Sequence, residues 1–545
     1  MKHITVVGCV VLLLSVSWAV YSAAVPVHEE EFIQCLSNEF NAYTKSLEII
    51  FTPESSLYSH LLESSKDNMR WINSTSRPAL ILTPMHESEI RAAILCSKRV
   101  GLQVRVRSGG HDYEGLSYLC KTPFIIIDLL NFRAIEVDIE DETAWVQSGA
   151  TIGELYYAIA QESKVHAFPA GLCPTVGIGG HLSGGGFGTM LRKYGLAADN
   201  VIDAYLVDVT GRILDRQGMG EDLFWAIRGG GGASFGIILS WKIKLVRVPP
   251  TVTVFNVPRT LEQGATKLVH RWQYISHKLP QDIFIRIVIQ NVGGDNNHHA
   301  TQKKTVLATF NSLFLGDKDR LVSLMDESFP ELGVEASDCL EMSWVDSTVY
   351  FAGFARGSPL EVLLDKTELY KAYFKAKSDF VTEPIPEDGL TGIWERFLKE
   401  ELVFVIMDPY GGRMDAILES QLPFPHRKGN LYNIQYIVKW EGNGVGSAAT
   451  HIDWINKLYK YMEKYVSKFP RAAYLNYRDL DLGTNKHPNT SDEEASVWGL
   501  KYFKANFKRL VQVKSRVDPH NFFWNEQSIP SISSTWKRRK NYHFS

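Results

Sequence analysis

The sequence predicts an α+β protein of two to three domains, and three observations carry that prediction. The chain has 545 residues, too many for one ordinary hydrophobic core. Its first 250 residues alternate helical and strand patterns around three glycine-rich segments. After Pro249-Pro250 the texture changes to long amphipathic helices and well-marked alternating strands.

The N-terminus reads as a secretory signal over residues 1–24. Lys2 and His3 form a short positive start, Ile4 to Val20 is apolar, and Ala19 to Ala24 offers small residues for cleavage. The run falls short of the roughly 20 residues a membrane span prefers, and no second span follows. Removing the signal takes away Cys9 and leaves Cys35, Cys96, Cys120, Cys173 and Cys339, an odd set in which at least one has another use. Cys35 and Cys96 sit in helix-like settings, F-I-Q-C-L and A-A-I-L-C-S-K, and are expected to pair in the oxidising secretory route. Cys120 and Cys339 read as free or buried thiols. Asn73 and Asn489 open the glycosylation sequons N-S-T and N-T-S.

Along the mature chain, L-E-S-S-K-D-N-M-R-W-I-N is helical in pattern and P-A-L-I-L-T-P has strand length. The helix E-S-E-I-R-A-A-I-L-C-S-K-R follows, then strands Q-V-R-V-R and P-F-I-I-I-D-L, so this stretch reads as α/β units. Between Val201 and Val248, V-I-D-A-Y-L-V-D-V reads as strand, D-L-F-W-A-I-R as helix and I-I-L-S-W-K-I-K-L-V as strand. Beyond the prolines, D-I-F-I-R-I-V-I-Q puts Ile283, Ile285, Ile287 and Ile289 on one face and Phe284, Arg286, Val288 and Gln290 on the other. N-L-Y-N-I-Q-Y-I-V-K-W likewise groups Asn433, Gln435, Ile437 and Lys439. A mostly antiparallel sheet fits, with helices on one face and a partly polar other face that is either solvated or the roof of a ligand pocket. There are no internal repeats and no low-complexity segment.

Lys+Arg 58 against Asp+Glu 61 gives a formal net charge of −3, which offers no electrostatic case for nucleic acid. The basic run Lys537-Arg538-Arg539-Lys540 sits in a terminal tail and reads as a solvated end. No His/Cys cluster has metal-ligand spacing, so no metal site is expected.

The chemistry is expected in the loops. R-S-G-G-H-D-Y-E-G ends at Gly115, C-P-T-V-G-I-G-G-H-L-S-G-G-G-F-G runs from Cys173 to Gly188, and Gly229 to Gly232 form a third segment. Glycine lets backbone approach a large ligand closely and lets N–H groups point at phosphate oxygens. No G-K-[ST] occurs in these loops, which excludes a P-loop. The fragment G-I-G-G-H-L lacks a clear following helix with a later acidic residue, which argues against a Rossmann site. His111 and Cys173 are each a nucleophile within such a loop. On residue type alone, a lone loop histidine is more often structural and a lone cysteine more often buried and inert.

These loops, with L-A-A-D-N-V-I-D-A, D-L-F-W-A-I-R-G-G-G-G, P-Y-G-G at Pro409, P-F-P-H-R at Pro423, Y-L-N-Y-R-D-L-D-L at Tyr474 and D-P-H-N-F-F at Asp518, closely resemble the plant berberine-bridge-enzyme-like flavoproteins. The resemblance spans essentially the whole mature chain. It implies a bipartite FAD-binding domain of the vanillyl-alcohol-oxidase (PCMH) type, with a first part over 25–250 and a C-terminal part over 471–545. A substrate-binding domain over 251–470, an antiparallel sheet covered by helices, is inserted between them. It further implies FAD bonded twice, through His111 and Cys173, and cradled by Arg107, Ser108, Gly109, Gly110, Val176, Gly177, Gly179, Gly180, Gly184 and Gly185. Two bonds hold the ring system with one face open for a bulky substrate, and they raise its power as an electron acceptor.

By the same resemblance, Tyr477 in Y-L-N-Y-R-D is the first candidate base. Tyr113 and Tyr194 match tyrosines near the flavin in the monolignol-oxidising branch. A tyrosine works as a base near neutrality only if its pKa is lowered, and Arg286 matches a cationic position that would do this. Gln435 matches that branch, where alkaloid-forming relatives carry a carboxylate, whereas Asn433 stands where a lysine is expected. Val176 sits where bulkier residues of some relatives obstruct oxygen, which favours an oxidase. His181 reads as a loop-ordering residue.

The function expected is a secreted, glycosylated, monomeric FAD-dependent oxidase in the apoplast, cell wall or vacuole. It would oxidise an aromatic or allylic alcohol or a phenolic specialised metabolite, with or without ring closure, and pass electrons to molecular oxygen as hydrogen peroxide. The alternatives are a carbohydrate oxidase using the same loops and a non-redox cyclase or flavin-containing binding protein.

Overall fold

The large apolar side chains separate into two main cores. Residues 255–466 supply one of them, including Trp272, Phe310, Trp394 and Tyr432. The other joins the two ends of the chain, setting Phe224, Trp225 and Trp241 against Trp498, Tyr502, Phe507 and Leu510. This is the α+β arrangement of a domain built from both chain ends around an inserted one, drawn from a computed structural model that describes residues 29–39, 48–64, 66–293, 304–366, 371–400, 402–442 and 444–532. The expected signal segment and the basic tail at 537–540 lie outside the described residues. Among the described residues no helix is long and apolar enough to cross a membrane.

Near the N-terminal end four short strands form a sheet in the order Ile50–Phe51, Ile81–Leu82, Phe124–Asp128, Gln103–Arg107. The last three run parallel. The helix Glu87–Val100 makes the crossover such a parallel arrangement needs. Its start is held by the Glu89 carboxylate, which accepts from the N–H groups of Met85 and His86 at 2.6 and 3.0 Å, and Gly101 ends it at φ 78°. Cys96, buried in this helix, forms the expected disulfide with Cys35 across a sequence separation of 61. Cys120 and Cys339 carry no disulfide and are buried.

A second sheet is antiparallel, in the order Ile135–Asp138, Thr143–Gln147, Ile237–Lys244, Val201–Val207, Ile213–Leu214. The third holds seven antiparallel strands: Cys339–Met342, Val252–Thr260, Thr305–Phe314, Ile283–Val292, Leu402–Pro409, Tyr432–Trp440 and Tyr373–Val381. Strand alternation decides what each face carries. Ile283, Ile285, Ile287 and Ile289 are all buried in the core that includes residues of the helices Ala265–Ile275 and Glu387–Phe397. Arg286, Val288 and Gln290 point the other way and are only partly buried. That second face roofs the cavity described next.

Candidate active site

Three glycine segments build the floor. As the chain leaves the strand Gln103–Arg107, the Ser108 hydroxyl donates to the Ser148 carbonyl at 2.5 Å. The Asp112 carboxylate then accepts from the N–H groups of Glu114 and Leu116 at 3.0 and 3.1 Å, folding the loop into a turn. The second segment opens a short helix, Ile178–Ser183, where no clear helix was expected. The third hangs on that helix: Gly229 and Gly231 N–H both donate to the Ser183 carbonyl, at 3.0 and 2.9 Å.

The glycines are needed at these contacts. A Cβ on Gly109 would collide with the Gly177 backbone N, one on Gly177 with Ser108 Oγ, and one on Gly184 with the Asn476 amide. A Cβ on Gly180 would meet nothing within 4 Å and would stand in open space. The result is a cavity of about 550 Å³ lined by all three glycine segments. A long glycine-walled cleft, in which backbone comes close to the ligand, fits an extended cofactor such as FAD.

At the cavity edge the two expected attachment residues come together. Thr175 Oγ1 lies 3.0 Å from His111 Nε2 and 3.6 Å from Cys173 Sγ, so one hydroxyl bridges both. Asp67 Oδ2 stands 2.8 Å from the other ring nitrogen, His111 Nδ1. His181 lines the cavity too, and its Nε2 accepts from the Gly171 N–H at 3.1 Å, which orders the loop as expected. Burial pushes its pKa down to about 4, so it is neutral at pH 7.

The roof brings Arg286, Phe374, Ile406, Gln435, Ile437 and Lys439 over this floor. Between roof and floor the rings of Tyr113 and Tyr477 stack, with centroids 6.1 Å apart and planes 3° from parallel. Phe374 meets Tyr113 edge-on at 5.1 Å, and Tyr474 meets Tyr477 edge-on at 5.0 Å. Gln435 Nε2 donates to the Tyr113 hydroxyl oxygen at 2.6 Å. A donor at that oxygen favours the phenolate and leaves the Tyr113 proton free to reach a ligand.

Electrostatics differ from the expectation at Arg286. Its Nε and Nη2 both sit on Asp408 Oδ1, at 2.8 and 2.6 Å, so its charge is already neutralised. Burial pushes the Tyr477 hydroxyl well above the ordinary tyrosine range, Asp408 and Tyr113 push further, and Arg286 offsets only part of it. Tyr113 is raised as well, by burial first, with the Gln435 hydrogen bond acting in the opposite sense. Asn433, opposite Asp408 on the neighbouring strand, is fully buried, and neither atom of its amide has a hydrogen-bond partner. An uncharged amide therefore occupies the position where the resemblance implied a lysine.

Three expected site residues lie outside the cavity wall. The Arg107 guanidinium is fully buried and gives four hydrogen bonds, to Asp128 and to the carbonyls of Leu61 and Leu62, away from the cavity. Gly185 faces Leu196 and Phe424 behind the floor. Tyr194 donates its hydroxyl to the Arg247 carbonyl, away from Tyr113 and Tyr477. Gly230, Gly231 and Gly232, from the third glycine segment, and Lys439, from the sheet face read as solvated or a pocket roof, line the cavity; Asn476 and Arg478 line it without having been expected there. The glycine run was itself a signal. Asn476, which donates to the His181 carbonyl at 3.0 Å, had none beyond its place beside Tyr477.

Comparison with known proteins agrees with this geometry. Residues 78–216 match the family model described as FAD binding domain, and residues 473–530 match the one described as berberine and berberine like. The chain is 54% identical over 514 residues to a tetrahydroberberine oxidase from Berberis wilsoniae, covering 93% of this chain and 94% of that one. It is 50% identical over 525 residues to the monolignol oxidoreductase AtBBE-like 13 from Arabidopsis thaliana, covering 95% and 96%. The solved structure of Phl p 4, a grass pollen allergen with glucose dehydrogenase activity, superposes with a TM-score of 0.86 at 44% identity, covering 92% of this chain and 100% of that one. With its glycine-walled cleft and these relatives, the chain belongs to the berberine bridge enzyme-like family and is an FAD-linked oxidoreductase.

Proposed function

We propose that the protein is a secreted oxidase of an aromatic or allylic alcohol or a phenolic specialised metabolite. The observation that carries this reading is the stacked pair Tyr113 and Tyr477, with Gln435 donating to Tyr113, set between a glycine floor and a mixed apolar and polar roof. FAD, when bound, supplies a two-electron acceptor that takes hydride from the substrate and returns the electrons to molecular oxygen as hydrogen peroxide. His111 and Cys173, bridged by Thr175, are its two covalent anchors in this proposal. The protein's own part is to exclude water, to lay an aromatic substrate against Tyr113, Tyr477 and Phe374, and to receive the substrate proton at the Tyr477 oxygen.

Val176, which lines the cavity with a small side chain, favours access of oxygen. The disulfide and the exposed positions of Asn73 and Asn489 favour passage through the secretory route and glycosylation there. Names of the relatives point to the substrate class: one is an oxidase of tetrahydroberberine and another acts on monolignols. A carbohydrate substrate is the second reading, favoured by the glucose dehydrogenase activity named for Phl p 4. Favouring the aromatic reading, Phe374, Ile406 and Ile437 give the roof an apolar half beside Arg286, Gln435 and Lys439.

An anaerobic screen of coniferyl alcohol, a tetrahydroprotoberberine and cello-oligosaccharides, followed by flavin bleaching, tests the reading. Bleaching by an aromatic substrate and peroxide formation in air are expected; bleaching by the sugars alone overturns it. Denatured protein is expected to stay yellow, and His111→Ala combined with Cys173→Ala to lose the colour. Colour that washes out of the parent protein refutes the double attachment.

A further inference from the structure

Tyr113 and Tyr477 come from loops more than 360 residues apart, yet their rings lie within 3° of parallel. The residues flanking them explain how. Asp112, just before Tyr113, accepts from Arg478, just after Tyr477, at 2.9 Å between Oδ2 and Nε. On the other flank, Lys375 of the roof reaches both loops at once. Its ammonium donates to Glu114, just after Tyr113, and to Asp479 at 2.7 Å. Lys375, Glu114 and Asp479 are all buried.

A second pin ties the Tyr113 loop to the same strand. Buried Asn68 donates its Nδ2 to the Tyr113 carbonyl at 2.8 Å and to the Phe374 carbonyl at 3.0 Å, one residue before Lys375. Both tyrosine loops are thus locked to each other and to the edge strand of the roof. The neighbouring lysine, Lys377, is as deeply buried, and its ion pairs go to Asp479 at 2.9 Å and Asp481 at 2.6 Å, with the Tyr459 ring beneath it, and not to Glu114.

We propose that Lys375, with the Asp112–Arg478 pair, is a positioning device that sets the distance and parallel stacking of the two tyrosines. It rests on the tyrosine-pair reading of the site. Lys375 touches no reacting atom; it works by holding Glu114 and Asp479 a fixed span apart, and their chain neighbours Tyr113 and Tyr477 with them. A buried ion network suits this task because each charge is satisfied in only one geometry. Lys377 distinguishes positioning from mere stapling of roof to floor, since it staples without touching the Tyr113 loop.

The test compares Lys375→Met, Lys375→Arg, Lys377→Met and Asp112→Asn, each as the full flavin-loaded protein and normalised to flavin content. Asp112→Asn keeps the Oδ1 that caps the loop turn and removes the charge facing Arg478. Two quantities are read: backbone hydrogen exchange over 112–114 and 477–479 without substrate, and the limiting rate of anaerobic flavin reduction by the aromatic substrate found in the screen. Lys375→Met is expected to lose protection in both segments together and to slow reduction by roughly 10- to 100-fold, with substrate binding little changed. Lys375→Arg restores most of the rate, Asp112→Asn slows it in the same sense, and Lys377→Met leaves protection at 112–114 intact.

Equal rates and equal exchange in Lys375→Met and Lys377→Met overturn the proposal. Should Lys375→Met fail to fold, Asp112→Asn decides, and an unchanged rate there overturns it. Should Tyr477→Phe reduce the flavin as fast as the parent, it is the tyrosine-pair reading that fails. The exchange data then still decide on the positioning device.

Discussion

The floor and the roof of the cavity are made in opposite ways. The floor consists of backbone: Gly109 against Gly177 and Gly184 against Asn476, where a side chain would intrude, and Gly229 and Gly231, at φ 107° and 81°, hung on Ser183. The roof consists of side chains, set by strand alternation on residues as distant as Arg286, Phe374, Ile406 and Gln435. The floor therefore depends on what is missing from its residues, and the roof on what its residues carry. A cofactor common to many substrates suits the first construction, and selection among substrates suits the second.

The strongest way to break this comparison is at the roof–floor junction. Tyr477→Phe is expected to slow flavin reduction by about 10²- to 10⁴-fold while leaving flavin content unchanged. A parallel loss of flavin would mean that Tyr477 belongs to the floor. The pH profile of the parent protein sharpens the same point. Burial raises the Tyr477 pKa, so its base form is scarce at neutral pH and grows as pH rises. Accordingly kcat/KM is expected to climb by roughly tenfold per pH unit from neutrality and not to level off by the ordinary tyrosine pKa of about 10. A profile flat above neutrality excludes Tyr477 as the base.

Next in size is Arg107→Met, which leaves Asp128 buried without its cation. It is expected to cost about 3–5 kcal/mol of stability in a denaturant titration, with the flavin spectrum of the surviving folded protein unaltered. A selective loss of flavin would return Arg107 to the cofactor site. Within the floor, two alanine substitutions separate packing from ligand space. Gly177→Ala overpacks against Ser108 and is expected to cost about 1–3 kcal/mol. Gly180→Ala is expected to keep the parent Tm and lose flavin, because its methyl enters the open cavity. Smallest is Gln435→Leu, which removes the donor to Tyr113 and is expected to slow reduction by a factor set by about 1 kcal/mol.

How much of this was legible follows from the range of the interactions involved. The helix Glu87–Val100, the strand Ile283–Val292 with its two faces, and the strand Tyr432–Trp440 follow local periodicity, and all three stand where the pattern placed them. The glycine loops were legible because glycine runs between strands have few structural uses. Arg107 was misplaced because the motif that contains it does not reveal that Asp128 pairs with it, on a strand parallel to its own. Tyr194 was misplaced because a tyrosine near a glycine loop in sequence need not face it in space. The charge state at Arg286 was illegible, since Asp408 lies 122 residues away and meets it only through strand order.

By itself, the sequence determined the α+β class, the change of architecture at the proline pair, and the glycine-rich loops carrying His111 and Cys173. Each of these rests on residue type and short spacing, which the chain displays in one dimension. Tertiary structure alone decided that Thr175 bridges those two residues, that Arg286 is neutralised by Asp408, and that Lys375 joins the loops bearing Tyr113 and Tyr477. Those pairings arise from sheet order and from the meeting of the two chain ends. Burial then sets the cost of each charge, and burial is a property of the packed molecule rather than of any segment of it.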